Sequence, residues 1–156
     1  MSKYYAGIGS RETPKDICDL MTKLATKLAN TGWILRSGGA KGADQAFERG
    51  VSSRFEKEIF YANDATPEAL ELAEKYHPKW AACSDYTRRL HARNGLILLG
   101  RDLDFPVSFI CCWTPDGKVT GGTGQSLRIA ADPEYNIPVH NLAIPDHLER
   151  VKEFLK

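Results

Sequence analysis

The chain has 156 residues, a length that favours one domain, spanning residues 1–156, with a substantial hydrophobic core. Its 21 Lys and Arg against 20 Asp and Glu leave a formal net charge of +1, so the composition gives no indication of nucleic-acid binding. No apolar run is long enough to span a bilayer, and the first residues lead straight into a strand-like run, so we expect a cytoplasmic protein without a signal peptide or a membrane partner.

The four cysteines predict free thiols. Cys18, Cys83, Cys111 and Cys112 contain no CxxC pair and no histidine spacing suited to zinc. Adjacent Cys111 and Cys112 lie in an apolar run and are predicted to be buried, which is typical of a reducing compartment. We therefore expect no metal and no other cofactor.

Strand-like runs and helical patterns alternate along the chain. Strands are predicted at residues 3–8, 33–36, 58–62, 107–113 and 137–142, the fourth buried on both faces. Six helices are predicted between and after these strands. The first has Thr13 as its cap and Pro14 at its first helical position, the second and third begin near residues 43 and 67, and the fourth covers 85–99 with Ser84 as its cap. The fifth follows the glycines at 121–124, and the sixth begins at Pro145. This alternation predicts a doubly wound α/β fold with a mainly parallel sheet and helices on both faces.

Three glycine-rich segments, at residues 7–11, 37–44 and 121–128, follow predicted strands. The carboxyl ends of parallel strands meet at one edge of a sheet, where ligands bind in such folds. Glycine allows close backbone approach, and a following helix directs free N–H groups toward an anion, so these segments predict a phosphate site; alternatively, each alone is an ordinary turn. The predicted ligand-binding residues are Gly9, Ser10, Arg11, Ser37, Gly38, Gly39, Lys41, Gly42, Asp44, Gly121, Gly122, Thr123, Gly124, Gln125 and Ser126.

Neither of the two common nucleotide motifs is present. The Gly7-Ile8-Gly9 segment lacks the third glycine of a dinucleotide fingerprint, and no acidic residue ends the second predicted strand. A Walker loop is excluded because the chain has no Gly-Lys-Ser/Thr sequence. NAD-dependent redox chemistry and ATP hydrolysis are therefore disfavoured.

Further candidate residues lie near and within the predicted helix at 85–99. Arg89 and Arg93, four apart, share a helix face and are predicted to reach the ligand together, or else to form a solvated basic face. His91 is predicted to be a surface residue. Trp80 and Tyr86 either stack on a base or belong to the core and its rim.

Asp44 lies in the first turn of its predicted helix. One interpretation is that the helix dipole favours a carboxylate at this position. The alternative is that Asp44 accepts a hydrogen bond from a sugar or a base edge. The sequence leaves both interpretations open.

The ordered motifs Gly9-Ser10-Arg11, residues 37–44 and Gly121-Gly122-Thr123-Gly124 resemble those of the SLOG superfamily, which includes the Smf/DprA and LOG proteins. The similarity is to its small single-domain YspA-like branch and covers nearly the whole chain. It implies a Rossmann-like domain that binds a nucleotide or a nucleotide-derived small molecule. Members of the superfamily often form dimers, so the resemblance also allows a homodimer.

Two branches of the superfamily carry different functions. LOG-like members hydrolyse the N-glycosidic bond of nucleoside 5′-monophosphates, and their Met-His-x-Arg-Lys motif is similar to residues 90–94, which would make Arg93 the match to their functional arginine. Asp44 is the candidate to supply the carboxylate that this reaction needs. Their two glutamates after the glycine motif are replaced here by Leu127 and Arg128, so we expect ligand binding, with hydrolysis as the alternative. The DprA-like branch implies single-stranded DNA binding as a further, weaker alternative.

Overall fold

Five short strands form one parallel sheet in the computed structural model, which describes residues 3–156. Met1 and Ser2, part of the chain start that argued against a signal peptide, lie outside the described residues. The strands are β1 (Tyr4–Gly7), β2 (Ile34–Ser37), β3 (Lys57–Ile59), β4 (Phe109–Cys112) and β5 (Val139–Asn141). They lie in the order β3-β2-β1-β4-β5, and every neighbouring pair is parallel.

Helices cover both faces of this sheet. They are α1 (Lys15–Asn30), α2 (Ala43–Arg49), α3 (Pro67–Tyr76), α4 (Asp85–Leu99), α5 (Gly121–Ala131) and α6 (Pro145–Phe154). Alternate strand residues point to opposite faces. Ala6 and Ile110 therefore pack in a layer with α3, α4 and α5, whereas Tyr5 and Cys111 pack in a layer with α1, α2 and α6. The predicted Rossmann-like α/β fold is confirmed.

The central strand β1 pairs with β2 on one side and with β4 on the other. The chain therefore runs outward from β1 in both directions, and the connections leave opposite faces of the sheet at this position. Such a switch point opens a crevice at the carboxyl ends of the strands. Cys111 and Cys112 are buried free thiols within β4, as predicted.

Two predicted helix starts are wrong. The helix α1 begins at Lys15, so Pro14 occupies the cap position, and the Thr13 hydroxyl donates to the carbonyl oxygen of Ser10 at 2.6 Å instead of capping the helix. The segment predicted as a glycine loop at residues 121–124 is the first turn of α5. In contrast, Ser84 caps α4 as predicted, because its hydroxyl accepts a hydrogen bond from the Thr87 amide.

Among the helices of residues 3–156, none combines the length and the apolar character needed to cross a bilayer.

Candidate functional site

A cleft of about 1260 Å³ opens at the carboxyl edge of the sheet, beside the switch point between β1 and β4. Its walls come from the segments after β1, β2 and β4 and from α4, so the three glycine-rich segments meet as predicted. Eleven predicted residues line it: Gly9, Ser10, Arg11, Gly38, Gly39, Asp44, Arg93, Gly121, Gly122, Thr123 and Ser126.

Three predicted residues of the segment after β2 do not line the cleft. The buried Ser37 hydroxyl donates to the Gly7 carbonyl oxygen at 2.6 Å and thereby joins β2 to β1. Gly42 has a φ of 84°, and a Cβ there would lie 2.6 Å from the Ser10 carbonyl oxygen, so this glycine lets two loops pack together. The Lys41 side chain is exposed.

Two predicted residues of α5 are also structural. Gln125 is fully buried, and its Nε2 donates to the Ala73 carbonyl oxygen at 2.9 Å while its Oε1 accepts from Arg128 at 2.7 Å. A Cβ on Gly124 would lie 2.9 Å from the carbonyl carbon of Val119. These residues fix α5 against α3 and against the preceding loop, away from the cleft surface.

The first turn of α5 offers free backbone donors to the cleft. Thr120 occupies the cap position, but its side chain makes no capping hydrogen bond, and the first helical bond runs from the Gly124 amide to the Thr120 carbonyl oxygen. The amides of Gly121, Gly122 and Thr123 therefore have no partner within the helix. A Cβ on Gly122 would meet only the Asn94 amide nitrogen, at 3.8 Å, so open space lies above this turn.

A buried carboxylate occupies part of the backbone surface after β2. Asp44 is only 5% exposed, its carboxylate accepts a hydrogen bond from the Ala40 amide at 3.3 Å, and the amides of Gly9 and Gly38 lie near enough to act on it. Desolvation raises the pKa of Asp44 to about 6, although the Arg93 charge and the three amides act in the opposite direction. A carboxylate thus stands where the sequence predicted a phosphate, and its charge repels one.

Arg93 connects α4 to the ends of β2 and β3. Its Nη1 donates to the carbonyl oxygens of Gly38 at 2.7 Å and Phe60 at 3.3 Å, and its Nε donates to the Asn94 side chain at 3.0 Å. The Nη2 group makes no hydrogen bond with residues 3–156, so it remains available to a ligand. Arg93 passes so close to Gly38 that a side chain at that position would collide with the guanidinium.

Asn94 is a site residue whose role sequence reasoning missed. It is 9% exposed and lines the cleft, and its Nδ2 donates to the Gly122 carbonyl oxygen at 3.0 Å. Because its Oδ1 accepts from Arg93, Asn94 holds the first turn of α5 and the arginine in one hydrogen-bonded network. The sequence indicated this role only through the position of Asn94, directly after Arg93 in the same helix.

Only part of the predicted aromatic and basic surface faces the cleft. Tyr86 lines it and is 59% exposed, whereas Trp80 and Arg89 lie in a small hollow between α3 and α4. The predicted joint approach of Arg89 and Arg93 is therefore wrong. Tyr61, which the sequence did not indicate, lines the cleft with 55% exposure, and its ring lies 3.0 Å from where a Gly39 Cβ would be.

The prediction that His91 is a surface residue is also wrong, because its exposure is 7%. Its ring lies 4.4 Å from the ring of His77, and both histidines line the cleft. Burial lowers the pKa of His91 to about 4, and the nearby His77, Arg128 and Arg93 add to this effect, so the ring is neutral at pH 7. Cys83 lies beside this pair, with its Sγ 3.8 Å from the His77 Nε2.

The charges that line the cleft are mixed. Three arginines, Arg11, Arg93 and Arg128, face two carboxylates, Glu12 and Asp44. The positive side chains exceed the negative ones by one, which suits a ligand that carries phosphate together with neutral hydrogen-bonding groups.

Comparison with known proteins gives no assignment, since neither a protein-family model nor a curated protein matches the chain. The functional interpretation therefore depends on the geometry of the cleft.

Proposed function

We propose that the protein binds a nucleotide or a nucleotide derivative in this cleft, as its motif resemblance to the SLOG superfamily implies. The observation that carries the proposal is the uncapped first turn of α5, whose free amides at Gly121, Gly122 and Thr123 face open space. A helix N-terminus of this kind favours an anion through both its N–H groups and its dipole.

The positions of Asp44 and α5 suggest the orientation of the ligand. A phosphate is repelled by the Asp44 carboxylate and therefore lies at α5, within the same network that holds Arg93 and Asn94. The carboxylate, which only accepts hydrogen bonds when ionised, suits the hydroxyl groups of a sugar. Exposed Tyr61 and Tyr86 supply aromatic surface for a base.

Hydrolysis of the N-glycosidic bond is the second candidate, and the environment of Asp44 favours it. A buried carboxyl whose pKa lies at about 6 is partly protonated near neutral pH and can donate its proton to the departing base as the C–N bond breaks. Water then adds to the sugar carbon, and the carboxylate takes up the proton that this water loses. Residues 127 and 128 do not supply a second carboxylate, because they are leucine and arginine; Leu127 packs in the core, and Arg128 donates to the Tyr76 carbonyl oxygen and the Gln125 side chain. Binding without turnover is thus the first proposal.

The test compares Gly122→Val with Ala131→Val, which introduces the same side chain at the exposed far end of the same helix. Purified proteins are titrated by calorimetry with nucleoside 5′-monophosphates, the matching phosphate-free nucleosides, ADP-ribose-type nucleotides and short single DNA strands. We expect a monophosphate to bind the wild type and Ala131→Val, and Gly122→Val to bind at least about tenfold more weakly, a loss of about 1.4 kcal/mol.

Each alternative has its own result. Equal affinity for nucleoside and nucleotide, or unchanged binding by Gly122→Val, contradicts a phosphate site at α5. Release of free base by the wild type, lost in Arg93→Ala, establishes the hydrolase instead. Binding of single strands without binding of any mononucleotide indicates the DprA-like function.

A further inference from the structure

Two histidines and a cysteine meet at one side of the cleft, outside the phosphate region. His77 follows α3, Cys83 lies in the turn before α4, and His91 lies within α4. One potential ligand atom of each residue lies within 4.8 Å of those of the other two. The two histidines line the cleft, and the cysteine is half-buried.

His91 has a feature that its own surroundings leave unexplained. The residue is only 7% exposed, and its Nδ1 is buried with no hydrogen-bond partner among residues 3–156. Buried polar atoms in folded proteins ordinarily have a partner, which is either protein, water or an ion. Because His77 and Cys83 lie beside His91, and imidazole and thiolate are both metal ligands, a metal ion is the partner that these side chains favour.

We propose that His77, Cys83 and His91 bind a zinc ion whose fourth coordination position is open toward the cleft. Zinc takes thiolate at about 2.3 Å and imidazole nitrogen at about 2.0–2.1 Å in a tetrahedron, which places the nitrogen and sulfur ligands about 3.5 Å apart. The Cys83 Sγ lies 3.8 Å from the His77 Nε2, a few tenths of an ångström beyond that separation. The ligand atoms of all three residues lie within 4.8 Å of one another, so side-chain rotations are enough to bring them onto one ion. Three protein ligands with one open position are typical of reactive zinc sites.

Zinc binding exchanges only weak or replaceable contacts. The Cys83 thiol donates to the Lys79 carbonyl oxygen at 3.5 Å, and the thiol gives up its proton when it becomes a ligand. The His77 Nδ1 accepts from the Lys79 amide at 3.0 Å, and this bond is lost when a metal binds Nε2, because the imidazole proton then lies on Nδ1. Lys79 is exposed, so water can satisfy its amide in the metal-bound state.

The charge of Arg128 indicates what fills the open position. Its side chain lines the same part of the cleft as the two histidines and donates through Nε to the carbonyl oxygen of Tyr76, the residue before His77, so its positive charge opposes a bare divalent cation in the cluster. The Cys83 thiolate offsets part of this repulsion. The same guanidinium favours an anionic fourth ligand, such as hydroxide or a phosphate oxygen.

The test measures metal binding directly, in the absence of any nucleotide. Full-length protein is incubated with zinc, desalted and analysed for metal content, and a parallel sample is titrated with cobalt(II) and followed by absorption. We expect one zinc per chain and a thiolate-to-cobalt charge-transfer band in the wild type. Cys83→Ser should lose the band and bind cobalt more than about 100-fold more weakly, because even the loss of an outer-shell partner costs 10–100-fold.

Cys18→Ser is the matched control, since this thiol is buried in α1 on the other face of the sheet and should leave the band unchanged. Absence of zinc from the wild type, an unchanged band in Cys83→Ser, or an equal loss in Cys18→Ser overturns the proposal. If Cys83→Ser does not fold, as judged by its melting temperature, His77→Gln replaces it with the same expected loss. Failure of nucleotide binding alone leaves these readouts unaffected, so the two proposals are tested separately.

Discussion

The buried carboxylate of Asp44 makes the stability of the protein depend on pH. Its folded-state pKa of about 6 lies above its ordinary value of 3.8, mainly because the charged form is desolvated. Between these two pH values, the folded chain holds a proton that the unfolded chain has released. The free energy of unfolding is therefore highest below the ordinary pKa and falls as the pH rises through the folded one.

We predict that Asp44→Asn increases the free energy of unfolding at pH 7 by about 1–3 kcal/mol, since a pKa difference of roughly two units corresponds to about that much. At pH 4 the variant and the wild type should differ little, because the carboxyl is then protonated in the folded state. Urea denaturation at both pH values measures the difference.

Asp16→Asn is the control for this experiment, because Asp16 is an exposed carboxylate in the first turn of α1 and should give no gain at pH 7. A loss of stability in Asp44→Asn at pH 7 contradicts the argument. It would mean that the Ala40 hydrogen bond, the neighbouring amides and the Arg93 charge stabilise the ionised carboxylate by more than its desolvation costs.

Residue identity in the cleft was partly predictable from sequence. The positions of Gly38, Gly122 and Arg93 followed from their segments, because strand ends and helix starts determine which residues reach the edge of a parallel sheet. The hydrogen bond from the Ala40 amide to Asp44 was not predictable, since it depends on how deeply the Asp44 carboxylate is buried. The burial of His91 likewise depends on the packing of α4 against its neighbours.

At the level of elements, the start of α5 departs most from expectation. The residues at 121–124 were predicted as a loop because they are glycine-rich and precede a helix, and glycine within a helix costs about 1 kcal/mol relative to alanine. The structure nevertheless begins the helix at Gly121, and buried Leu127 and Ile129 anchor its later turns in the core. Tertiary packing thus outweighs local propensity here.

We predict that Thr120→Asp stabilises the fold and weakens ligand binding. Thr120 has extended dihedral angles suited to a cap but makes no capping hydrogen bond, so an aspartate there should bond to the free amides of the first turn. The expected gain is about 0.5–1 kcal/mol, and the new charge should compete with a phosphate for the same donors. Thermal unfolding and nucleotide titration measure the two effects.

Thr120→Asn separates capping from charge, because asparagine caps a helix about as well as aspartate but is neutral. It should give a similar gain in stability with a smaller loss of affinity. If Thr120→Asp leaves nucleotide affinity unchanged, the phosphate does not lie at the start of α5.

Ser84 provides the opposite case, a cap that is already in use. Its hydroxyl accepts from the Thr87 amide at 3.2 Å, so Ser84→Ala should reduce the free energy of unfolding by about 1 kcal/mol. Thr120→Ala should change it by less than about 0.5 kcal/mol, because no capping bond is lost. Denaturant titration of both variants tests the assignment, and equal losses would contradict it.

For the whole molecule, the alternation of strands and helices was sufficient to predict a parallel α/β fold, because parallel neighbours require crossover connections. The position of the cleft followed from the same rule. The cluster of His77, Cys83 and His91 was not predicted, since its members are separated along the chain and meet only when α3 packs beside α4. Sequence patterns therefore predict the helices and strands, but they do not determine which side chains of different elements come into contact.

Ligand binding should stabilise the whole fold, because the cleft is built from both helical layers. Asp44 belongs to α2 in one layer, whereas Arg93 and Gly122 belong to α4 and α5 in the other. A ligand present at 100 times its Kd adds about 2.7 kcal/mol to the free energy of unfolding. For a chain of this size we predict a rise in Tm of roughly 5–10 °C, at about 2–4 °C per kcal/mol.

Differential scanning fluorimetry with the best monophosphate from the titrations measures this shift in the wild type and in Gly122→Val. The Tm of Gly122→Val without ligand should stay close to that of the wild type, because the space above this turn is open and a side chain meets only Asn94. At the same ligand concentration its Tm should rise by at most about half as much, since the valine blocks approach to the free amides and a tenfold weaker affinity leaves about 1.4 kcal/mol of stabilisation. An equal rise in both proteins would mean that the valine at position 122 does not affect binding. The nucleotide would then lie elsewhere than at the free amides of Gly121, Gly122 and Thr123.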